Sequence, residues 1–414
     1  MSVKLKLIIM NFLQFFIWGA WLISFGSYVG NALHFDGVQI GSFFATMGIA
    51  SLFMPALVGI IADRWVPAQK LYAICHLLGA VFLFAASFQT TYMPLYIFML
   101  LSVMVYMPTL ALSYTVAYNA LAKEKMDVVK DFPPIRVWGT IGFICAMWTV
   151  DLTGFKYSEI QLYVSAVAAL ILGCYSFSLP PCETNAQPES KSLIDILGLR
   201  AFTLFKNKQM AVFFLFSMLL GAALQITNGF GDFFLSSFKS IPEYVHSFGV
   251  EHSIILLSVS QISETLFILT IPFFMKRFGI KKVMLMSMFA WVLRFAFFGL
   301  GNPGAGLSLL ILSMIVYGMA FDFFNISGSL FVEQTTDSKI RASAQGLFML
   351  MTNGIGAIIG SYAAGAIVNH YVTKTETPNW PAAWFIFAGY ALVVGILFAV
   401  FFRYKPAATS LRGQ

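Results

Sequence analysis

Apolar runs of about twenty residues recur along the whole chain, and they restrict its fold more than any other feature of the sequence. A helical run of that length spans the hydrocarbon core of a membrane, which is ~30 Å thick. We place twelve such spans near residues 7–29, 39–62, 71–91, 94–121, 135–153, 159–180, 210–235, 252–275, 282–300, 305–332, 342–370 and 381–403. The sequence lacks the alternating pattern, about ten residues long, of membrane β-barrel strands. We therefore predict an all-α membrane protein.

The composition agrees with a surface that faces lipid. Of the 414 residues, 59% are hydrophobic and 10% are charged, whereas a soluble domain carries about 25% charged residues. The net charge of +7 does not indicate nucleic-acid binding, because the basic residues form short clusters between the apolar runs. The four cysteines are scattered and show neither metal-ligand spacing nor a disulfide framework. We predict no metal and no cofactor.

The positions of Lys and Arg predict the orientation of the spans. If the N-terminus lies in the cytoplasm, 21 of the 25 basic residues fall in cytoplasmic segments, and the outer segments hold Lys156, Lys239 and Lys374. Basic residues concentrate on the cytoplasmic side of membrane proteins. A missed span would invert every later segment and remove this bias. We therefore expect an even number of spans, with both termini in the cytoplasm.

A polar interruption between the sixth and seventh spans divides the chain into halves. It begins with a linker-like composition and continues with an amphipathic segment suited to the membrane surface. We predict an N-terminal six-helix bundle over 1–180, a cytoplasmic linker over 181–208, and a C-terminal six-helix bundle with a short cytoplasmic tail over 209–414. Basic residues follow both the second and the eighth span. Two similar six-span halves are typical of major facilitator transporters.

Three spans of the second half carry pairs of polar residues: Gln225 and Asn228, Gln261 and Glu264, and Asp322 and Asn325. A spacing of three positions puts both members of a pair on one face of a helix. Such residues can hydrogen-bond between helices, for about 0.6 kcal/mol each. However, a charged group at mid-bilayer costs about 2.5–3.5 kcal/mol on insertion scales. Because two of the six residues are carboxylates, we expect a shared water-accessible cavity.

Other polar residues in the spans have simpler interpretations. Arg294 either pairs with an intramembrane carboxylate or reaches the outer interface, and the sequence favours neither. His76 and Trp18 are expected to pack between helices. Asp151 and Asp232 lie near outer span ends and are expected at the membrane interface.

Arg136 follows the tandem proline that we expect to begin the fifth span. Thr140 and Phe143 come after it at roughly one-turn steps, so a donor, a hydroxyl and a ring share one helix face. Such a face can hold a planar heterocycle by hydrogen bonding and stacking. The alternative is that Arg136 only fixes the orientation of the span.

At these segments the sequence resembles the nucleoside:proton symporter family of the major facilitator superfamily, the bacterial nucleoside and xanthosine permeases. The similarity extends over nearly the whole chain and includes FIWGAWL, PPIRVWGTIGF, LQITNGFG, SQISETLFILTIPFF, AFDFFNISGS and RASAQG. It implies a major facilitator fold with twelve transmembrane helices in two six-helix bundles. It also implies a symporter that imports nucleosides with protons across the bacterial inner membrane by alternating access.

The resemblance assigns a substrate site between the bundles to Arg136, Thr140, Phe143, Gln225, Asn228, Gln261, Glu264, Tyr317, Phe321 and Asp322. Amides suit the edge of a base because they both donate and accept, and carboxylates accept from ribose hydroxyls. Burial favours the uncharged form of a carboxyl group, which makes Glu264 and Asp322 the candidates for the coupled proton. We expect Glu264 to couple and Asp322 to bind substrate, although the roles could be exchanged.

Two other functions fit polar residues in such a cavity. One is a proton-coupled sugar transporter, since amides and carboxylates also bind hexoses, and the other is a nucleoside-binding membrane sensor that does not translocate. We do not expect an enzyme, because the sequence contains no Gly-rich phosphate loop and no nucleophile elbow. The expected partners are a nucleoside, protons and the lipid bilayer but no nucleic acid, and we expect a monomer.

Overall fold

The structure, a computed structural model, describes residues 2–182, 199–337 and 340–404, most of which are helical. Its twelve long helical segments are α1 Val3–Gly19, α2 Gly37–Arg64, α3 Ala68–Ser87, α4 Tyr92–Lys123, α5 Val128–Leu152, α6 Ile160–Ser176, α7 Lys208–Ser237, α8 Ser253–Phe278, α9 Ile280–Leu300, α10 Leu307–Thr335, α11 341–373 and α12 Trp380–Phe401. Ten of them have the length and hydropathy of a membrane span. The other two, α1 and α6, have 17 residues each.

Polar residues fix where several helices begin. Ser2 accepts from the backbone N–H of Leu5 at the start of α1, and Asn379 accepts from Ala382 at the start of α12. At α2, Asp36 and Gln39 form a reciprocal capping box. These contacts satisfy backbone donors that have no partner within the first helical turn.

The first predicted span is not one continuous helix. After α1 ends at Gly19, the chain continues through a turn at Phe25–Ser27 and a π-helix at Tyr28–Ala32. In this stretch Ser27 and Asn31 lie 3.4 and 3.0 Å from the Ser236 hydroxyl of α7. Contacts with the second half of the chain therefore replace a regular helix here.

The fifth span begins earlier than predicted. We expected it to start after the tandem proline, but α5 begins at Val128 and contains Pro133 and Pro134. An ion pair of 2.6 Å between Lys4 of α1 and Asp131 holds the additional turn in place. Pro133 and Pro134 are the sixth and seventh residues of α5, past the four first donors that have no partner within the helix. Each proline therefore leaves one carbonyl of the first turn without its usual backbone donor.

Helix α11 changes its hydrogen-bonding pattern along its length. It consists of Arg341–Met349, a π-helix at Leu350–Gly356, Ala357–Val368 and a second π-helix at Asn369–Thr373. π-Helical turns inside membrane helices are rare and often occur at functional sites.

The helices pack into two groups that follow the chain. In the first half α1 packs against α5 and α6, and α3 against α4 and α6; in the second, α9 packs against α10 and α12, and α7 against α11. The predicted linker falls largely on residues 183–198, which lie outside the described residues, so the domain boundaries stay a prediction. We call the face on which α1 begins and α12 ends the terminal face, and the opposite one the distal face.

Helices α2 and α11 join the two halves toward the distal face. They approach so closely at Gly41 that a Cβ there would lie 2.3 Å from the carbonyl oxygen of Ser361. At the end of this contact, Gly37 N–H donates to the Thr373 hydroxyl at 3.1 Å. Small residues permit such close packing between membrane helices, where lipid offers no hydrophobic driving force.

A second contact between the halves contains buried charges. We call it the junction cluster, and it consists of Asp151, Lys156, Asp232, His252 and Ser253. Lys156 Nζ donates to Asp151 Oδ1 at 3.4 Å and to Ser253 Oγ at 3.0 Å. His252 Nδ1 lies 2.7 Å from the other Asp151 oxygen, and Ser253 Oγ donates to Asp232 Oδ1 at 2.5 Å. The cluster thus links the end of α5 and the residues that follow it to α7 and to the start of α8.

Asp151 and Asp232 lie near the distal ends of α5 and α7, so their place at the membrane interface stays a prediction. At 4% and 1% exposure they face protein and not the surface. Lys156 is equally buried and also donates to the carbonyl oxygens of Val250 and Glu251, at 3.1 and 2.7 Å. Buried charges require partners of this kind. These two carbonyls are 94 and 95 positions away in the sequence, which is why sequence patterns did not indicate them.

Candidate functional site

A cavity of about 310 Å³ lies between the two halves of the chain. Residues of α1, α2, α4 and α5 line it on one side, and residues of α7, α8, α10 and α11 on the other. Nine of the ten predicted substrate residues lie in its wall: Arg136, Thr140, Phe143, Gln225, Asn228, Gln261, Glu264, Tyr317 and Phe321. The structure therefore brings together residues that are widely separated in the sequence. That they bind a substrate stays a prediction.

The tenth residue, Asp322, does not line the cavity. Its side chain is buried behind the wall that Tyr317 and Phe321 form, and it is 4% exposed. A helix turns by about 100° per residue, so Asp322 points away from the line that Tyr317 and Phe321 share. Asn325 bonds back to the Phe321 carbonyl at 3.0 Å. Of the three predicted polar pairs, the two on α7 and α8 face the cavity and the one on α10 does not.

The first half supplies a cation whose position is fixed by two neighbours. The Arg136 guanidinium carbon lies 4.0 Å from the centre of the Phe15 ring, and its Nε donates to the Tyr114 hydroxyl at 3.1 Å. Helix α5 can come close to α1 because Gly142 has no side chain. A Cβ there would lie 2.2 Å from the Phe12 carbonyl oxygen. Contacts on both sides therefore hold Arg136 at the cavity.

Aromatic rings form much of the remaining wall of the first half. Phe143 meets Trp18 edge-to-face, with ring centroids 6.4 Å apart, and Trp18 also packs against Tyr106 at 5.6 Å. We expected Trp18 to pack between helices, and it does. It also lines the cavity, which the sequence did not indicate. Flat rings of this kind can stack on a planar ligand.

A buried polar network lies behind this aromatic wall. The side-chain oxygen of Gln14 accepts from the Tyr72 hydroxyl at 2.6 Å and lies 2.8 Å from His76 Nε2, while its amide donates to Thr109 at 2.8 Å. An amide oxygen accepts but does not donate, so the proton of His76 lies on Nε2. His76 is packed between helices, as the sequence predicted.

The second half supplies amides and a carboxylate. Gln225 and Asn228 project from α7 and approach each other at 3.5 Å, and Gln261 projects from α8 with a buried oxygen that has no partner among the described residues. Glu264 lies one turn further along α8. An unpaired buried amide oxygen is costly unless a ligand or water satisfies it.

The charges of the two halves face each other. Glu264 interacts electrostatically with Arg136 of the first half and with Asp322 of its own half. One Asp322 oxygen is buried and has no hydrogen-bond partner among the described residues. Glu264 is thus the carboxyl group that reaches the cavity, whereas Asp322 lies behind its wall.

Sequence reasoning missed several further wall residues, among them Ser51 and Asn353. Asn353 lies in the first π-helix of α11. Its signal was an asparagine next to Gly354 within an otherwise apolar run. The other missed residues are apolar, and nothing in the sequence separates them from ordinary packing residues.

No group of three or more His, Cys, Asp or Glu side chains within residues 2–182, 199–337 and 340–404 is arranged to hold a metal ion. The chemistry that the cavity offers is hydrogen bonding, aromatic stacking and proton exchange.

Comparison with known proteins identifies the family. A family model described as nucleoside H⁺ symporter matches residues 1–407. The chain belongs to the nucleoside H⁺ symporter family. It is 53% identical to nucleoside permease NupG of Escherichia coli (strain K12) over 406 residues, which cover 98% of this chain and 97% of that protein. Xanthosine permease of the same organism is also 53% identical, with the same coverage.

A crystal structure of nucleoside transporter NupG superposes on this member of the nucleoside H⁺ symporter family with a TM-score of 0.92 at 53% identity. It covers 98% of this chain and 100% of that one. The predicted major facilitator fold is thereby confirmed. A crystal structure of peptide transporter POT superposes with a TM-score of 0.76 at 14% identity, over 96% of this chain and 93% of the POT chain. This similarity concerns the fold alone.

Proposed function

We propose that the chain imports nucleosides together with protons, and that the cavity between its halves is the substrate site. The observation that carries this proposal is the gathering of nine predicted substrate residues around that cavity in a member of the nucleoside H⁺ symporter family. Because eight helices from both halves contribute to the wall, movement of one half against the other would open and close it. Alternating access follows from this geometry.

The chemistry of the wall suits a nucleoside. Gln225, Asn228 and Gln261 offer both donors and acceptors for the edge of a base. Phe143 and Phe321 offer flat faces for stacking, since both line the cavity. Glu264 can accept from ribose hydroxyls. Hexoses lack the flat heterocycle, so the aromatic part of the wall favours a nucleoside over a sugar.

The positive-inside bias supports a cytoplasmic location for the terminal face in the bacterial inner membrane. The distal face then points outward. The close contact of α2 with α11 and the junction cluster both lie toward the distal face, so this conformation is closed to the outside. We propose that the transporter works as a monomer, because its cavity is complete within one chain.

Uptake of labelled uridine into proteoliposomes tests the proposal. We expect an imposed proton gradient, acid outside, to drive accumulation that an uncoupler collapses. Unlabelled nucleosides should compete and hexoses should not, whereas competition by hexoses would favour the sugar transporter. Uridine binding without flux would instead indicate a sensor. Chemically altered uridine inside the vesicles would contradict a pure transporter.

Arg136→Ala is expected to raise the KM for uridine about tenfold or more, because a hydrogen bond from a charged group contributes about 1.5–3 kcal/mol. Initial uptake rates over a range of uridine concentrations measure the change. Arg277→Ala, which removes an exposed arginine at the end of α8, is the matched control. An unchanged KM in Arg136→Ala would restore the reading that this arginine only fixes the orientation of α5.

A further inference from the structure

Arg294 is a buried cation whose position neither sequence interpretation anticipated. It lies on α9, is 3% exposed, and neither reaches the outer interface nor pairs with a carboxylate among the described residues. Its Nη1 donates to the Ser313 carbonyl at 2.9 Å and to Ser260 Oγ at 3.3 Å. These contacts connect α9 to α10 and α8. Its Nε has no hydrogen-bond partner among the described residues.

Aromatic rings surround the guanidinium group. Its carbon lies 4.4 Å from the ring centre of Tyr317, 5.4 Å from that of Phe298 and 6.0 Å from that of Trp291. Guanidinium groups are attracted to aromatic faces at such distances, and more strongly when water is excluded. A cation inside the membrane nevertheless carries a cost, and most such residues have a functional reason.

Tyr317 connects Arg294 to the cavity. Its ring lines the cavity and lies parallel to that of Phe321, with an interplanar angle of 3° and centroids 5.8 Å apart. Trp291 meets the Tyr317 ring edge-on, with ring centroids 6.0 Å apart. Tyr317 therefore has Arg294 and Trp291 behind it and a second cavity ring beside it. A shift of Arg294 would move a ring in the wall of the substrate site.

Arg294 and Tyr317 belong to the same half of the chain, on α9 and α10. Their contact is therefore kept when one half moves against the other.

We propose that Arg294 is a positioning residue of the transport site, which holds the Tyr317 ring in the cavity wall. This inference rests on the proposed function. The planar guanidinium supports the ring through its contact with the aromatic face. A residue that only ties helices together would not change the affinity for substrate through Tyr317 in folded protein.

The test compares Arg294→Met, Arg294→Lys and the surface control Arg277→Met in proteoliposomes, after purified protein has been matched for folded amount by thermal unfolding. Arg294→Met is expected to raise the KM for uridine about tenfold. Arg294→Lys keeps the charge but loses the planar group that supports the Tyr317 ring, so it should raise the KM as well.

A double-mutant comparison covers the case in which Arg294→Met does not fold. Arg294→Lys is measured with and without Tyr317→Leu, and its effect on KM should disappear when the ring is already absent. An equal effect in both backgrounds, or folded Arg294 variants with wild-type KM, would overturn the inference. Wild-type uridine uptake is measured first in the same vesicles. Its absence would contradict the proposed function, whereas failure of the Arg294 results alone would not.

Discussion

We expect Glu264→Gln to abolish the proton-driven accumulation of uridine while exchange of uridine across the membrane continues. Glu264 lines the cavity and interacts with Arg136 across it and with Asp322 behind it. Glutamine keeps the size and hydrogen-bonding capacity of the side chain but cannot take up and release a proton. One proton crossing ~100 mV supplies about 2.3 kcal/mol, which corresponds to roughly fifty-fold accumulation of a neutral substrate. The variant should lose this factor.

Accumulation at steady state and exchange with preloaded unlabelled uridine are the two measurements that separate coupling from binding. Glu243→Gln, which neutralises an exposed carboxylate between α7 and α8, is the matched control and should behave as wild type. Asp322→Asn completes the set, because the sequence left open which carboxylate couples. Full accumulation by Glu264→Gln, still collapsed by an uncoupler, would move coupling away from Glu264.

Gly41→Leu is the second substitution with a large expected effect, and it should reduce uridine uptake at least tenfold in protein that still inserts and folds. A Cβ at Gly41 would lie 2.3 Å from the Ser361 carbonyl oxygen of α11, a distance that no relaxation of a flexible side chain can relieve. Both groups are fixed in their helices, so the two halves would have to separate there. The conformation closed at the distal face would be disfavoured, and the transport cycle would stop.

The control for this variant is Gly389→Leu on α12. Gly389 is exposed, and no described atom beyond its own helix backbone and chain neighbours lies within 4 Å of a Cβ built there. Leucine at that position should therefore leave uptake unchanged. Uridine binding to purified Gly41→Leu protein should persist, since the cavity residues are untouched. Wild-type uptake by Gly41→Leu would show that the close contact of α2 and α11 is not needed for transport.

Much of the fold followed from the sequence because its determinants are local. The length of the apolar runs and the positions of Lys and Arg were sufficient to predict twelve spans, and a long helical segment corresponds to each of them. The interruption after Gly19 was missed because Ser27 and Asn31 are held by Ser236, more than two hundred positions away. Such contacts leave no local pattern.

The candidate site was likewise predicted only in part from the sequence. The pairs on α7 and α8 were predicted to face a cavity, and they do, whereas Asp322 on α10 lies behind the wall. Spacing fixes which residues share a helix face, but packing fixes where that face points. Arg294 was ambiguous for a related reason: its nearest acceptors, Ser260 and the Ser313 carbonyl, belong to neighbouring helices. The substrate roles themselves came from the family resemblance.

The junction cluster is expected to make the conformational balance of the transporter sensitive to temperature. Lys156 and its partner Asp151 are buried by contacts with the second half, so separation of the halves at the distal face would return both charges to water. The free-energy cost of removing water from charged groups falls as temperature rises. Warming should therefore shift the population toward the conformation described above, and cooling should shift it toward the opposite one. Growth temperature is thus expected to influence which side of the membrane the empty carrier faces.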